Sequence, residues 1–321
     1  MWVRMLAAAA VVAILPLKVP DVSATTSNDL VCGANPTGDV VLTHDLTCTD
    51  SFVFDAPGDQ PIRIDLGGHT VTVTDPAAPC EENQPPGTQP TCAIVARRSV
   101  MLVHGTIEGS VGLASSSDRS LISAATVDGD VWMSGAGGDL VRSRVQDGSV
   151  HLLGAVDDVK WSVVSGGGIT FDDTFTALTL SIEHNRVVGS PGAGISGMLG
   201  AGGEFQNDVV GDIAVNTVEG SVNAGIDFAG ALTNFGPFDL ASNRVTANGG
   251  DGIRIGGIDN PPTPFVGGPM TLTNNTARRN AGQGIVAGWV SNVSGTGIVD
   301  GGANTAHSNA VAPPCVGVVC S

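Results

Sequence analysis

Six residues fall where chemistry on a sugar chain would want them. Trp132, His151, Thr170, Ser196, Asp227 and Arg254 each sit one position after an apolar residue of a recurring column. An aromatic plate stacks on a sugar ring, and imidazole and hydroxyl groups bind sugar hydroxyls. Asp227 supplies a carboxylate that serves as a base or holds a cation, and Arg254 steadies an anionic group. Asp172 and Asp173 offer a second carboxylate. Hydrolysis of a glycosidic bond uses two carboxyl groups about 5–9.5 Å apart. With strands about 4.8 Å apart, Asp172 would stand about 10 Å from Asp227, which is marginal for an inverting reaction. The same residues also read as a solvated face with one surface ion pair, worth about 0–1 kcal/mol.

What would position them is a repeat. Asn185, Asn216, Asn243 and Asn275 are each followed nine residues later by Gly-Ile, at 194–195, 225–226, 252–253 and 284–285. Upstream, Gly-Asp-Val at 129–131, Gly-Ser-Val at 148–150 and Gly-Gly-Ile at 167–169 read as the same strand start. The apolar column runs Val111, Val131, Val150, Ile169, Ile195, Ile226, Ile253, Ile285, in steps of 20, 19, 19, 26, 31, 27 and 32 residues. A second column follows two residues on: Leu113, Met133, Leu152, Phe171, Gly197, Phe228, Ile255, Ala287. Side chains alternate along a strand, so both columns point inward. The residues between them (Gly112, Trp132, His151, Thr170, Ser196, Asp227, Arg254, Val286) point outward together.

Self-similarity at this period means a solenoid. A coil of about 20 residues is too short for strand–helix–strand crossovers but accommodates three short strands and their turns. The expected fold is an all-β, single-stranded right-handed parallel β-helix of about ten coils. Asn185, Asn216, Asn243, Asn275 and Asn304 would stack at a tight turn, where Asn tolerates a left-handed backbone and amides bond in a ladder. Ser143 and Ser162 stand near this place in earlier coils. The longer later coils carry insertions after Gly197 and Gly230 and around Pro261-Pro262, which would wall any groove.

The chain opens as an exported protein does. A short charged start at Trp2, Val3 and Arg4 precedes the apolar run Met5 to Leu17, and Val22-Ser23-Ala24 forms a small-residue cleavage pattern. This predicts a signal peptide over 1–24 and a secreted mature domain over 25–321. That domain divides into an N-terminal cap at about 32–75, a disulfide loop at 76–93, coils at about 94–310 and a C-terminal cap at 311–321. The six cysteines fall as close pairs, Cys32 with Cys48, Cys80 with Cys92 and Cys315 with Cys320. Proximity favours these disulfides among 15 connectivities, and an oxidising destination suits them.

Fourteen Lys+Arg stand against 31 Asp+Glu, and lysine occurs only at 18 and 160. No basic stripe is legible, which argues against nucleic acid. Such a surface repels a polyuronate unless a cation bridges the two. His44, His69, His104, His184 and His307 lack metal-ligand spacing. Calcium at the turn carboxylates Asp128, Asp130 and Asp147 is allowed but not indicated, since no Gly-Gly-x-Gly-x-Asp repeats occur. No cofactor is indicated, and the mature chain is expected to be a monomer without a membrane span.

Asp65-Leu-Gly-Gly-His-Thr-Val71, the Asn-x8-Gly-Ile coils and Pro314-Cys-Val-Gly-Val-Val-Cys320 resemble right-handed parallel β-helix repeat proteins of the pectate-lyase-like superfamily, many of them exported by bacteria. The resemblance covers about 32 to 320. It implies the fold, and it leaves function open among lyases, hydrolases, epimerases and inert scaffolds. The catalytic motifs of such families are broken here. Asp172-Asp173 and Arg254-Ile255-Gly256 echo two polygalacturonase motifs, but Asn216-Thr217 continues to Val218, and the one Gly-His, Gly68-His69, lies far upstream. Asp75-Pro76-Ala77 lacks the histidine of the epimerase motif, and Ile182-Glu183-His184 only faintly echoes the lyase segment. Two readings follow. One is a glycan-associated protein, a binder or else a polysaccharide lyase or glycoside hydrolase, using the outward column. The other is a structural or surface-interaction scaffold.

Overall fold

A computed structural model describes residues 29–55, 61–80, 90–115, 118–172, 178–198, 209–228, 235–256, 269–288 and 297–321. The expected signal peptide, Asp173, Gly230 and Pro261-Pro262 lie outside them. Three parallel sheets of eleven strands each run the length of the molecule. The chain visits the first, second and third sheet in turn and then repeats, so each circuit is one coil of a parallel β-helix. Eleven coils form, against the ten or so expected, because segments read as caps supply strands. Val40–Val41, Leu46–Cys48 and Phe52–Phe54 make the first coil, and Cys315–Val316 closes the third sheet.

Alternation builds the core. Val111 and Leu113 are fully buried, as are Val131 with Met133 and Val150 with Leu152. Each pairs in register with its counterpart one coil on. The weak place in the inward column, Gly197, has a packing reason. A Cβ there would collide with the Phe171 ring, which packs 5.5 Å from Phe228 and 6.4 Å from Phe238. One large ring fills the space of two layers.

Two polar ladders lock the turns. The side-chain amide of Asn185 donates to Oδ1 of Asn216 at 3.1 Å, Asn216 to Asn243 at 3.0 Å, Asn243 to Asn275 at 3.1 Å and Asn275 to Asn304 at 3.2 Å. Each amide also donates to a backbone carbonyl, from Val159 for Asn185 to Leu272 for Asn304. Ser162 N–H donates to Asn185, and Ser143 N–H to Ser162, so the serines extend the ladder upward. A second ladder that the sequence reading did not identify joins Asn248, Asn280 and Asn309 at the next corner.

The left-handed backbone falls on the residue before each ladder amide, and not on the asparagine itself. His104, Ala124, Arg142, Trp161, His184, Val215, Ser242, Asn274 and Ala303 all have φ between 51° and 58°. The asparagines are buried and use their side chains as backbone mimics, while the preceding residue makes the corner and points outward.

The disulfides Cys32–Cys48, Cys80–Cys92 and Cys315–Cys320 form. Cys80–Cys92 ties a two-stranded hairpin, Ala78–Pro79 against Thr91–Cys92, onto the outer face of the third sheet. A Cβ at Gly112 would run into the Cys80 backbone, which is why the outward column begins with glycine.

Candidate functional site

The third sheet brings the outward column together. Trp132 pairs with His151, His151 with Thr170, Thr170 with Ser196, Ser196 with Asp227 and Asp227 with Arg254. Trp132 is half-buried against the Cys80–Cys92–Val95 cluster and lies 3.8 Å from the His151 ring, at an interplanar angle of 18°. One face of the indole is therefore taken by the imidazole. Its buried N–H has no hydrogen-bond partner among the described residues.

His151 Nδ1 shares a hydrogen bond with Thr170 Oγ1 at 2.9 Å, and its Nε2 is 4.0 Å from Asp130 Oδ1. A hydroxyl, an imidazole and a carboxylate thus stand in the order of a nucleophilic triad. The carboxylate is beyond hydrogen-bond reach, and it is already engaged by the Ser149 N–H at 2.8 Å. Burial lowers the His151 pKa, with Asp130 opposing, so the ring is neutral near pH 7.

Asp227 is 9% exposed and gives both oxygens to Arg254, Oδ1 to Nε at 2.9 Å and Oδ2 to Nη2. That bidentate bond raises the Arg254 pKa and leaves Asp227 poorly placed as a free base. Asp172 pairs with Met198. Its backbone is therefore two strands and two residues from Asp227, roughly 12 Å by strand geometry.

A second set of titratable groups among the described residues lies on the first sheet. Asp139 pairs with Asp158, Asp158 with Ser181, Ser181 with Asp212 and Asp212 with Asp239. Arg119 bridges Asp139 and Asp158, and Lys160 sits 3.7 Å from both Asp158 and Glu183. Burial raises the Asp139 pKa to about 6 against the pull of Arg119. Asp157 points inward from the same strand, between Gly138 and Leu180. It is fully buried and accepts the N–H groups of Gly138 at 2.9 Å and Gly154 at 3.0 Å. Burial still pushes its pKa up to about 7. The alternation of Val156–Lys160 could have marked Asp157 as inward, because Val159 is a core position.

The sequence reading also passed over the corner between the first and second sheets. There the exposed Trp161 lies parallel to His184. The signal was present in the phase of the repeat: Arg142-Ser143, Trp161-Ser162 and His184-Asn185 place each of these just before a ladder residue. Among the described residues, no group of three His, Cys, Asp or Glu side chains is arranged to hold a metal. No protein-family model matches this chain, and no significant similarity to a curated protein or a solved structure is found.

Proposed function

We propose that this protein is a secreted, monomeric β-helix of the pectate-lyase-like kind that binds extracellular polysaccharide along its rigid flank without cleaving it. The observation that carries the reading is the unbroken outward column from Trp132 to Arg254, on six consecutive coils. Groups suited to sugar recognition recur there at about 4.8 Å, an interval that suits an extended polymer. Binding is favoured over chemistry because Arg254 occupies both oxygens of Asp227. The three disulfides suit the oxidising space outside the cell.

A second reading, the inert scaffold, is supported by the same closure, since His151 and Asp227 both find their partners inside the protein. The test is a panel of neutral and acidic polysaccharides offered to residues 25–321, with and without calcium. Reducing ends, the ultraviolet absorbance of unsaturated products and retention are recorded. Retention without product supports the proposal, product lost in Asp227→Ala overturns it in favour of an enzyme, and no retention at all favours the scaffold.

A further inference from the structure

The corner between the first and second sheets carries side chains that packing does not require. A left-handed backbone costs an L-residue roughly 1–2 kcal/mol, and Gly or Asn bears it best. On three consecutive coils the occupants are instead Arg142, Trp161 and His184, with φ of 51°, 51° and 58°. The same left-handed corner recurs at Ala124, Val215 and Ser242, so the backbone belongs to the fold, and what sets these three coils apart is the large polar or aromatic side chain placed there. Trp161 is 52% exposed. Its ring lies 5.5 Å from His184 at an interplanar angle of 9°, and the Arg142 guanidinium is 6.0 Å from its centroid.

Two residues beyond Arg142 and His184, Arg144 and Arg186 open strands of the second sheet, and both are exposed. Among the described residues Arg142 and Arg144 have no ion-pair partner. Arg186 meets Glu219 at 3.5 Å, an exposed pair of little strength. The formal net charge of the chain is −17, yet the first sheet holds many of the carboxylates and this corner holds three arginines.

We propose that this corner binds an anionic polysaccharide, its sugar rings stacking beside Trp161 and His184 and its carboxylate or sulfate groups pairing with Arg142, Arg144 and Arg186. Guanidinium forks match both kinds of anion, and an exposed indole is the plate that a sugar ring covers. Charge complementarity selects the occupant, since a neutral glycan would gain nothing from three arginines. The inference rests on the glycan reading and moves it to a face the outward column does not share.

The test offers polygalacturonate, dextran sulfate and neutral dextran to the full mature chain, with tryptophan fluorescence and retention as readouts. Dextran is not retained, and either polyanion is retained in a salt-sensitive way. Trp161→Ala weakens that retention about tenfold. The double variant Arg142→Ala/Arg186→Ala abolishes it, and Arg63→Ala, which removes a charge on the first sheet three coils before Arg142, leaves it unchanged. Polygalacturonate alone assigns carboxylate recognition, and dextran sulfate alone assigns sulfate recognition. Trp161→Gly relieves the backbone, so lost retention there cannot be put down to unfolding. Retention of neither polyanion, or undiminished retention in Trp161→Ala, overturns the proposal. If another glycan is then held and is released by Asp227→Ala, the glycan reading stands without this corner.

Discussion

Asp227 and Arg254 close on each other through two hydrogen bonds, and the burial of the carboxylate fixes what each substitution does. Arg254→Met leaves a carboxylate of 9% exposure without its partner. The expected cost is about 1–3 kcal/mol by urea unfolding. Arg254→Met combined with Asp227→Asn recovers part of it, because the uncompensated charge is gone. Trp161 behaves in the opposite sense. Trp161→Gly replaces a strained residue at φ 51° and is expected to raise stability by up to about 1 kcal/mol, measured as an upward shift of the urea midpoint. A residue whose removal stabilises the fold while weakening binding is there for the binding. These roles were unequally legible. Asp227 and Arg254 are one repeat apart, which places them side by side on any parallel stack. Trp161 is marked in the sequence only by its place just before a ladder serine, a signal that needs the ladder to be recognised first. The crowding of Trp132 depends on how the Cys80–Cys92 hairpin folds back, which no periodicity encodes.

At the scale of the element, the asparagine ladder turns separate coils into one cooperative unit. Asn243 receives the N–H and side-chain amide of Asn216 and donates to Asn275 and to the Ile213 carbonyl. Asn243→Ala strands all of these groups in a buried corner, and the expected loss is about 3 kcal/mol in urea unfolding. Asn304 ends the ladder, and its amide turns to the exposed Asp300 carboxylate at 3.1 Å, which water can satisfy, so Asn304→Ala is expected to cost less. Equal losses at the two positions would mean that the corner, not the ladder, carries the energy. The fixed offset from Asn to Gly-Ile made the first ladder readable. The second, through Asn248 and Asn280, escaped because Ser190 and Ser221 replace the amide in earlier coils and hide the period.

For the whole molecule, the buried carboxylates set the response to pH. Asp157 and Asp139 bind their protons more tightly in the folded protein, near pH 7 and pH 6, than the ordinary carboxylate value of 3.8. Their contribution is therefore full below about pH 4 and is lost as the pH rises to about 7. The protein is expected to melt several degrees higher at pH 5 than at pH 8, and lowering the net charge of −17 works in the same direction. Asp157→Asn flattens this dependence. It also lowers the melting point at pH 5, because one of the two glycine N–H groups loses its acceptor. A melting point that does not vary between pH 5 and 8 would show that these groups titrate normally.

The row of left-handed corner residues is spaced by the rise of the coil, about 4.8 Å, and their outward side chains are largely spared from the core. Such a row works as a ruler with rewritable marks. A polymer laid along it comes into phase with the marks only at intervals set by the mismatch between its own repeat and the coil rise. Like a vernier, the row would then discriminate ligands by length before it discriminates them by chemistry.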